Sequence, residues 1–112
     1  MAKLMIVSIA SDHAGFELKE IIISHLKALK IEVIDNGPKN DESVDYPDFA
    51  KKVVDDLKGS DANKGILICG SGQGMAMSAN KHTGIRAALC HNLEITKLAR
   101  AHNDANILTL GA

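Results

Sequence analysis

Short apolar runs alternate with longer stretches of helical period along the whole chain, and this alternation leaves few folds open. A run of about six apolar residues has strand length, and two such strands joined through a helix must lie parallel in one sheet. The spacing predicts five strands, at Leu4–Ala10, Glu32–Asp35, Gly65–Cys69, Arg86–Cys90 and Ile107–Leu110. Between them, Phe16–Leu29 places Phe16, Leu18, Ile22, Leu26 and Leu29 near helical spacing, and Phe49–Leu57 does the same with Phe49, Val53, Val54 and Leu57. Both apolar stripes are expected to pack on the sheet. Further helices are expected at Gly74–Asn80 and at Leu93–His102, which has a basic C-terminal end. The result is an α/β chain with a five-stranded parallel sheet.

Its 112 residues suit one domain, 1–112, and an aromatic content of 3% leaves the interior to Ile, Leu, Val and Ala. Thirteen basic and fourteen acidic residues give a net charge of −1 with no long run of either sign, which argues against a nucleic-acid partner. No stretch approaches the roughly 20 apolar residues that span a bilayer, so no membrane partner is expected. Met1-Ala2-Lys3-Leu4 leads straight into a strand-like run rather than a signal peptide, and a cytoplasmic protein is expected. Cys69 and Cys90 do not make a disulfide framework, and each is expected to be a free thiol.

In an open parallel sheet, ligands bind beyond the carboxyl ends of the strands. That directs attention to Ser11–Gly15, the Gly-, Pro- and Asp-rich loop Asn36–Asp48, Gly70–Gly74, His91–Asn92 and whatever follows Leu110. In Cys69-Gly70-Ser71-Gly72-Gln73-Gly74, a thiol ends a buried strand and glycines follow at alternate positions. Such a loop leaves its N–H groups free to converge on an anion. A tight turn after a small core cysteine is the plainer reading. The glycine spacing fits neither the dinucleotide fingerprint nor a P-loop. Asp12 and His13 stand side by side after the first strand, although Asp12 equally suits a helix cap. Tyr46 precedes a helix, where an aromatic plug would also fit. His102 and Asn103 lie at a helix exit, where a histidine also complements the helix dipole. The spacing of Cys90, His91 and His102 matches no common zinc pattern, so Cys90 is read as core, and His25 and His82 as surface residues.

Five blocks together carry a family resemblance: Ser11-Asp12-His13-Ala14-Gly15, Val44-Asp45-Tyr46-Pro47-Asp48, Cys69-Gly70-Ser71-Gly72-Gln73-Gly74, Gly84-Ile85-Arg86-Ala87-Ala88-Leu89 and His102-Asn103-Asp104-Ala105-Asn106. In order and spacing the chain resembles ribose-5-phosphate isomerase B over nearly its whole length. The resemblance implies a Rossmann-like three-layer sandwich and the interconversion of ribose 5-phosphate and ribulose 5-phosphate. It also implies no metal or other cofactor, and a homodimer, possible as a tetramer, with active sites shared between subunits. Cys69 matches the family's proton-transferring base and His102 its ring-opening residue. Asp12, His13, Tyr46, Gly70, Ser71, Gly72, Gln73, Gly74 and Asn103 match its sugar-binding positions. Gln73 departs from the family's usual aliphatic residue, and Ser71 from its frequent threonine. The family also continues past Ala112 into an arginine and an arginine-bearing helix, which this sequence lacks.

Galactose-6-phosphate and allose-6-phosphate isomerases share the implied fold and are the nearest enzymatic alternatives. A non-catalytic sugar-phosphate-binding module is a third. A redox thiol protein fits least, since no Cys-x-x-Cys or nearby resolving cysteine is present.

Overall fold

The structure, a computed structural model, describes residues 5–112. Strands and helices alternate as β1 (Ile6–Ser11), α1 (Phe16–Ala28), β2 (Glu32–Asp35), α2 (Tyr46–Lys58), β3 (Lys64–Cys69), α3 (Gln73–Ala79), β4 (Ala87–Leu89), α4 (Leu93–Ala101) and β5 (Ile107–Gly111). The five strands form one sheet in the order β2-β1-β3-β5-β4, parallel at every pairing. On one face, Ala10, Leu67, Cys69 and Ile107 pack with Val53 and Val54 of α2 and Met75 of α3. On the other, Ile9 and Ile68 meet Ile23 of α1, while Ala88, Cys90 and Leu108 meet Ala99 of α4. Helices on both faces of a parallel sheet make the expected three-layer α/β sandwich. Among the described residues no helix is long and apolar enough to cross a membrane.

Departures from the sequence reading have local causes. Leu4, expected to open the first strand, lies outside the described residues, and β1 runs on to Ser11, which registers with Ile68. The second helix begins at Tyr46 rather than Phe49: Asp45 is extended and Pro47 sits in the first turn, so the helix starts before its apolar stripe does. Only Ala87–Leu89 of the predicted Arg86–Cys90 is strand, because the Arg86 N–H donates to the Asn106 side chain instead of to a neighbouring strand. Leu29, assigned to the packed face of α1, follows the last helical residue and is exposed. Asp12 does not cap α1; Gly15 stands at the N-cap, with no side-chain cap bond. His25 is exposed as expected, whereas His82 is half-buried.

Candidate functional site

Because all five strands are parallel, Ser11, Asp35, Cys69, Leu89 and Gly111 end on one edge of the sheet. Cys69 is buried among aliphatic side chains, and its sulfur accepts a hydrogen bond from the Gly72 N–H at 3.1 Å. The loop can fold back this tightly because Gly72 adopts φ +79°, in the left-handed region that glycine favours. A Cβ at Gly72 would stand 2.5 Å from Leu89 Cδ1 and 2.8 Å from the Leu110 carbonyl carbon, whereas one at Gly70 would meet nothing within 4 Å. Gly72 therefore packs the loop onto the sheet, and Gly70 faces open space beside the thiol. Ser71 is exposed, its Oγ accepting the Gln73 N–H, and Gln73 opens α3 with its side chain in solvent.

Asp12 is buried beside this loop, its N–H donating to the Ile68 carbonyl and its Oδ1 accepting from the Gly15 N–H at 3.0 Å. Among the described residues its second oxygen carries no hydrogen bond, which leaves an acceptor for a hydroxyl. His13 is exposed, and its Nδ1 accepts the Val44 N–H at 3.3 Å. That contact turns Nε2 to the far side of the ring, away from the bond. Tyr46 closes the group: a Cβ at Gly74 would lie 2.9 Å from its ring, so phenol and glycine loop are in direct contact. The structure thus brings together Cys69, Gly70, Ser71, Gly72, Gln73, Gly74, Asp12, His13 and Tyr46.

It does not bring His102 and Asn103 to them. α4 starts at the carboxyl edge, runs back along the sheet and ends at Ala101, so these two residues precede β5 at the amino edge. Arg86, at the entrance to β4, reaches Asn103, which fixes that end. Ile107 registers with Gly65 and Gly111 with Cys69, so a strand length of roughly 13 Å separates the amino edge from the thiol's level.

Sequence reasoning missed the supports beneath the site. Lys19 is fully buried, and its Nζ bonds Glu20 at 2.7 Å and Asp35 at 3.0 Å. Asp35 Oδ1 also accepts the Gly37 N–H, and the Gly37 carbonyl accepts the N–H of Ser11, next to Asp12. Asn36 is held in turn by Ser8 and Asp56. Lys19 lies four and seven residues before Ile23 and Leu26, so helical spacing already put it on the buried stripe; its charge hid it. Among the described residues, no group of three or more His, Cys, Asp or Glu is placed to hold a metal ion.

A parallel α/β sheet with a thiol, a glycine loop and polar side chains at its carboxyl edge defines a protein that handles small anionic ligands at its strand ends. The chain belongs to the ribose/galactose isomerase family, whose model matches residues 7–112. It is similar to the solved ribose 5-phosphate isomerase of Thermotoga maritima, at 54% identity and a TM-score of 0.94, covering 95% of this chain and 73% of that one. The type B enzyme of Clostridium thermocellum aligns with a TM-score of 0.94 at 50% identity, over 96% of this chain and 72% of that one. Ribose-5-P isomerase B of Listeria innocua is 47% identical over 108 residues, 96% of this chain and 73% of that protein.

Proposed function

We propose that this protein is an aldose–ketose isomerase that interconverts D-ribose 5-phosphate and D-ribulose 5-phosphate through an enediolate, the reaction of pentose phosphate metabolism. One observation carries the reading: in a chain of this family, the Cys69 sulfur accepts the Gly72 N–H of the glycine loop at the ligand edge of the sheet. Cys69 as thiolate takes the proton from C2 of the open-chain aldehyde and returns it to C1, while the hydroxyl proton passes from O2 to O1. The loop amides and the Ser71 hydroxyl donate to the developing enediolate oxygens. Asp12, His13, Tyr46, Gln73 and Asn103 hold the sugar by hydrogen bonds. His102 opens the furanose by moving the proton of the anomeric hydroxyl to the ring oxygen.

The separation of His102 from Cys69 supports a homodimer in which each site takes Cys69 from one subunit and His102 from the other. Exposed Met77 on α3 and Leu93, Ile95 and Leu98 on α4 support an apolar subunit contact. Two free thiols suit the reducing cytoplasm.

The test is exchange of the C2 proton of ribose 5-phosphate in deuterium oxide, followed by NMR. Removing a general base costs about 10²–10⁴-fold, so Cys69→Ala should nearly abolish exchange. Cys90→Ala, altering a buried thiol on the α4 side of the sheet, should leave it almost intact. Equal losses would sink the assignment of the base, and faster exchange of allose or galactose 6-phosphate would overturn the five-carbon substrate.

A further inference from the structure

The turn that presents His102 and Asn103 is fastened by side chains that the reaction as written does not use. After α4 the His102 N–H donates to the Leu98 carbonyl, and the chain then reverses through Asp104 at φ +48°. A non-glycine residue in that region costs free energy and persists where its surroundings fix it. Arg100 supplies one fastening, from Nη1 to Asp104 Oδ1 at 2.9 Å and to the Ala105 carbonyl at 2.7 Å. Arg86 supplies a second from another part of the sheet, its Nε donating to the Asn103 carbonyl at 2.6 Å.

The backbone of Arg86 is itself anchored. Its N–H donates to Asn106 Oδ1 at 2.8 Å, and its carbonyl accepts the Asn106 N–H at 2.9 Å. The guanidinium therefore reaches the turn from a fixed base. The bond lies at the surface, where water could satisfy the Asn103 carbonyl equally well, so folding alone does not call for an arginine there. What the bond does is set the direction in which the Asn103–Asp104 peptide faces, one residue after His102.

We infer that Arg86 is a positioning residue for ring opening: it orients the turn so that His102 meets the anomeric hydroxyl and ring oxygen of the furanose. The inference rests on the ring-opening reading of His102 proposed above.

The experiment separates ring opening from proton transfer. Turnover of ribose 5-phosphate requires the furanose to open. Solvent exchange of the C1 proton of ribulose 5-phosphate does not, because that ketose has no free 5-hydroxyl with which to form a furanose. Loss of one charge-assisted hydrogen bond corresponds to roughly tenfold or more, so Arg86→Met should slow ribose 5-phosphate turnover by about tenfold. Exchange of ribulose 5-phosphate should stay near the unaltered protein's rate, which also reports that the variant is folded. Arg86→Lys, which keeps a donor, should recover part of the loss. Equal slowing of both reactions, or of neither, would overturn the role of Arg86. His102→Ala, run in parallel, tests the underlying reading. If it slows both reactions alike, ring opening by His102 fails and the inference falls with it; if only His102→Ala separates them, Arg86 alone is ruled out.

Discussion

Gly70 and Gly72 stand two residues apart in the loop after β3, yet their surroundings assign them different duties. Alanine at Gly72 would combine a positive φ with contacts of 2.5 Å to Leu89 and 2.8 Å to Leu110, one of them backbone that cannot move aside. Gly72→Ala should lose about 1–3 kcal/mol of stability, read as a lower urea midpoint. Gly70→Ala places its methyl in open space and should unfold like the unaltered protein, while raising the KM for ribose 5-phosphate because that space lies beside the thiol. An unchanged KM would mean that the sugar does not approach over Gly70. Both glycines look alike in the sequence, since spacing reports a tight loop but not which position packs and which opens. Cys69 ends an apolar run and Asp12 and His13 follow another within three residues, so the sequence already placed all three at strand ends, where a parallel sheet binds ligands. The hydrogen bond from Val44 to His13 was not, because it joins residues 31 apart across a loop without periodicity.

At the scale of elements, the alternation of apolar runs and helical stripes located every strand and helix among the described residues. Boundaries moved where capping and side-chain hydrogen bonds override the apolar pattern, as at Tyr46 and Arg86. Lys19 marks the deeper gap. A charge on a helix is ordinarily read as solvent-facing, and only the fold reveals that the ammonium tucks under α1 to tie the end of β2 to the Ser11–Asp12 turn. The two ends of this tie should respond unequally. Asp35→Ala leaves Lys19 buried with Glu20 as its remaining partner and releases the Gly37 N–H, which should cost about 1–3 kcal/mol. Lys19→Met fills the same space without a charge to satisfy, and should cost less. Denaturant midpoints of the two variants decide the order; a larger loss for Lys19→Met would show that the bonds of the ammonium, rather than the packing of its chain, hold the element ends together.

For the whole molecule, the parallel topology has one dominant consequence. A helix returning from β4 to the start of β5 must end at the amino edge, so Cys69 and His102 lie at opposite ends of the sheet. Sequence placed both residues in their elements, but strand order and direction were needed to see that one chain does not unite them. The reading as a shared-site isomerase therefore has a sharp test in co-expression of the Cys69→Ala and His102→Ala chains. Neither variant alone should turn over ribose 5-phosphate appreciably. In a two-fold dimer, half the mixed population pairs one chain of each kind, and each such pair rebuilds one intact site, so activity should return to about a quarter of the unaltered level. Activity no higher than that of the separate variants would contradict the account.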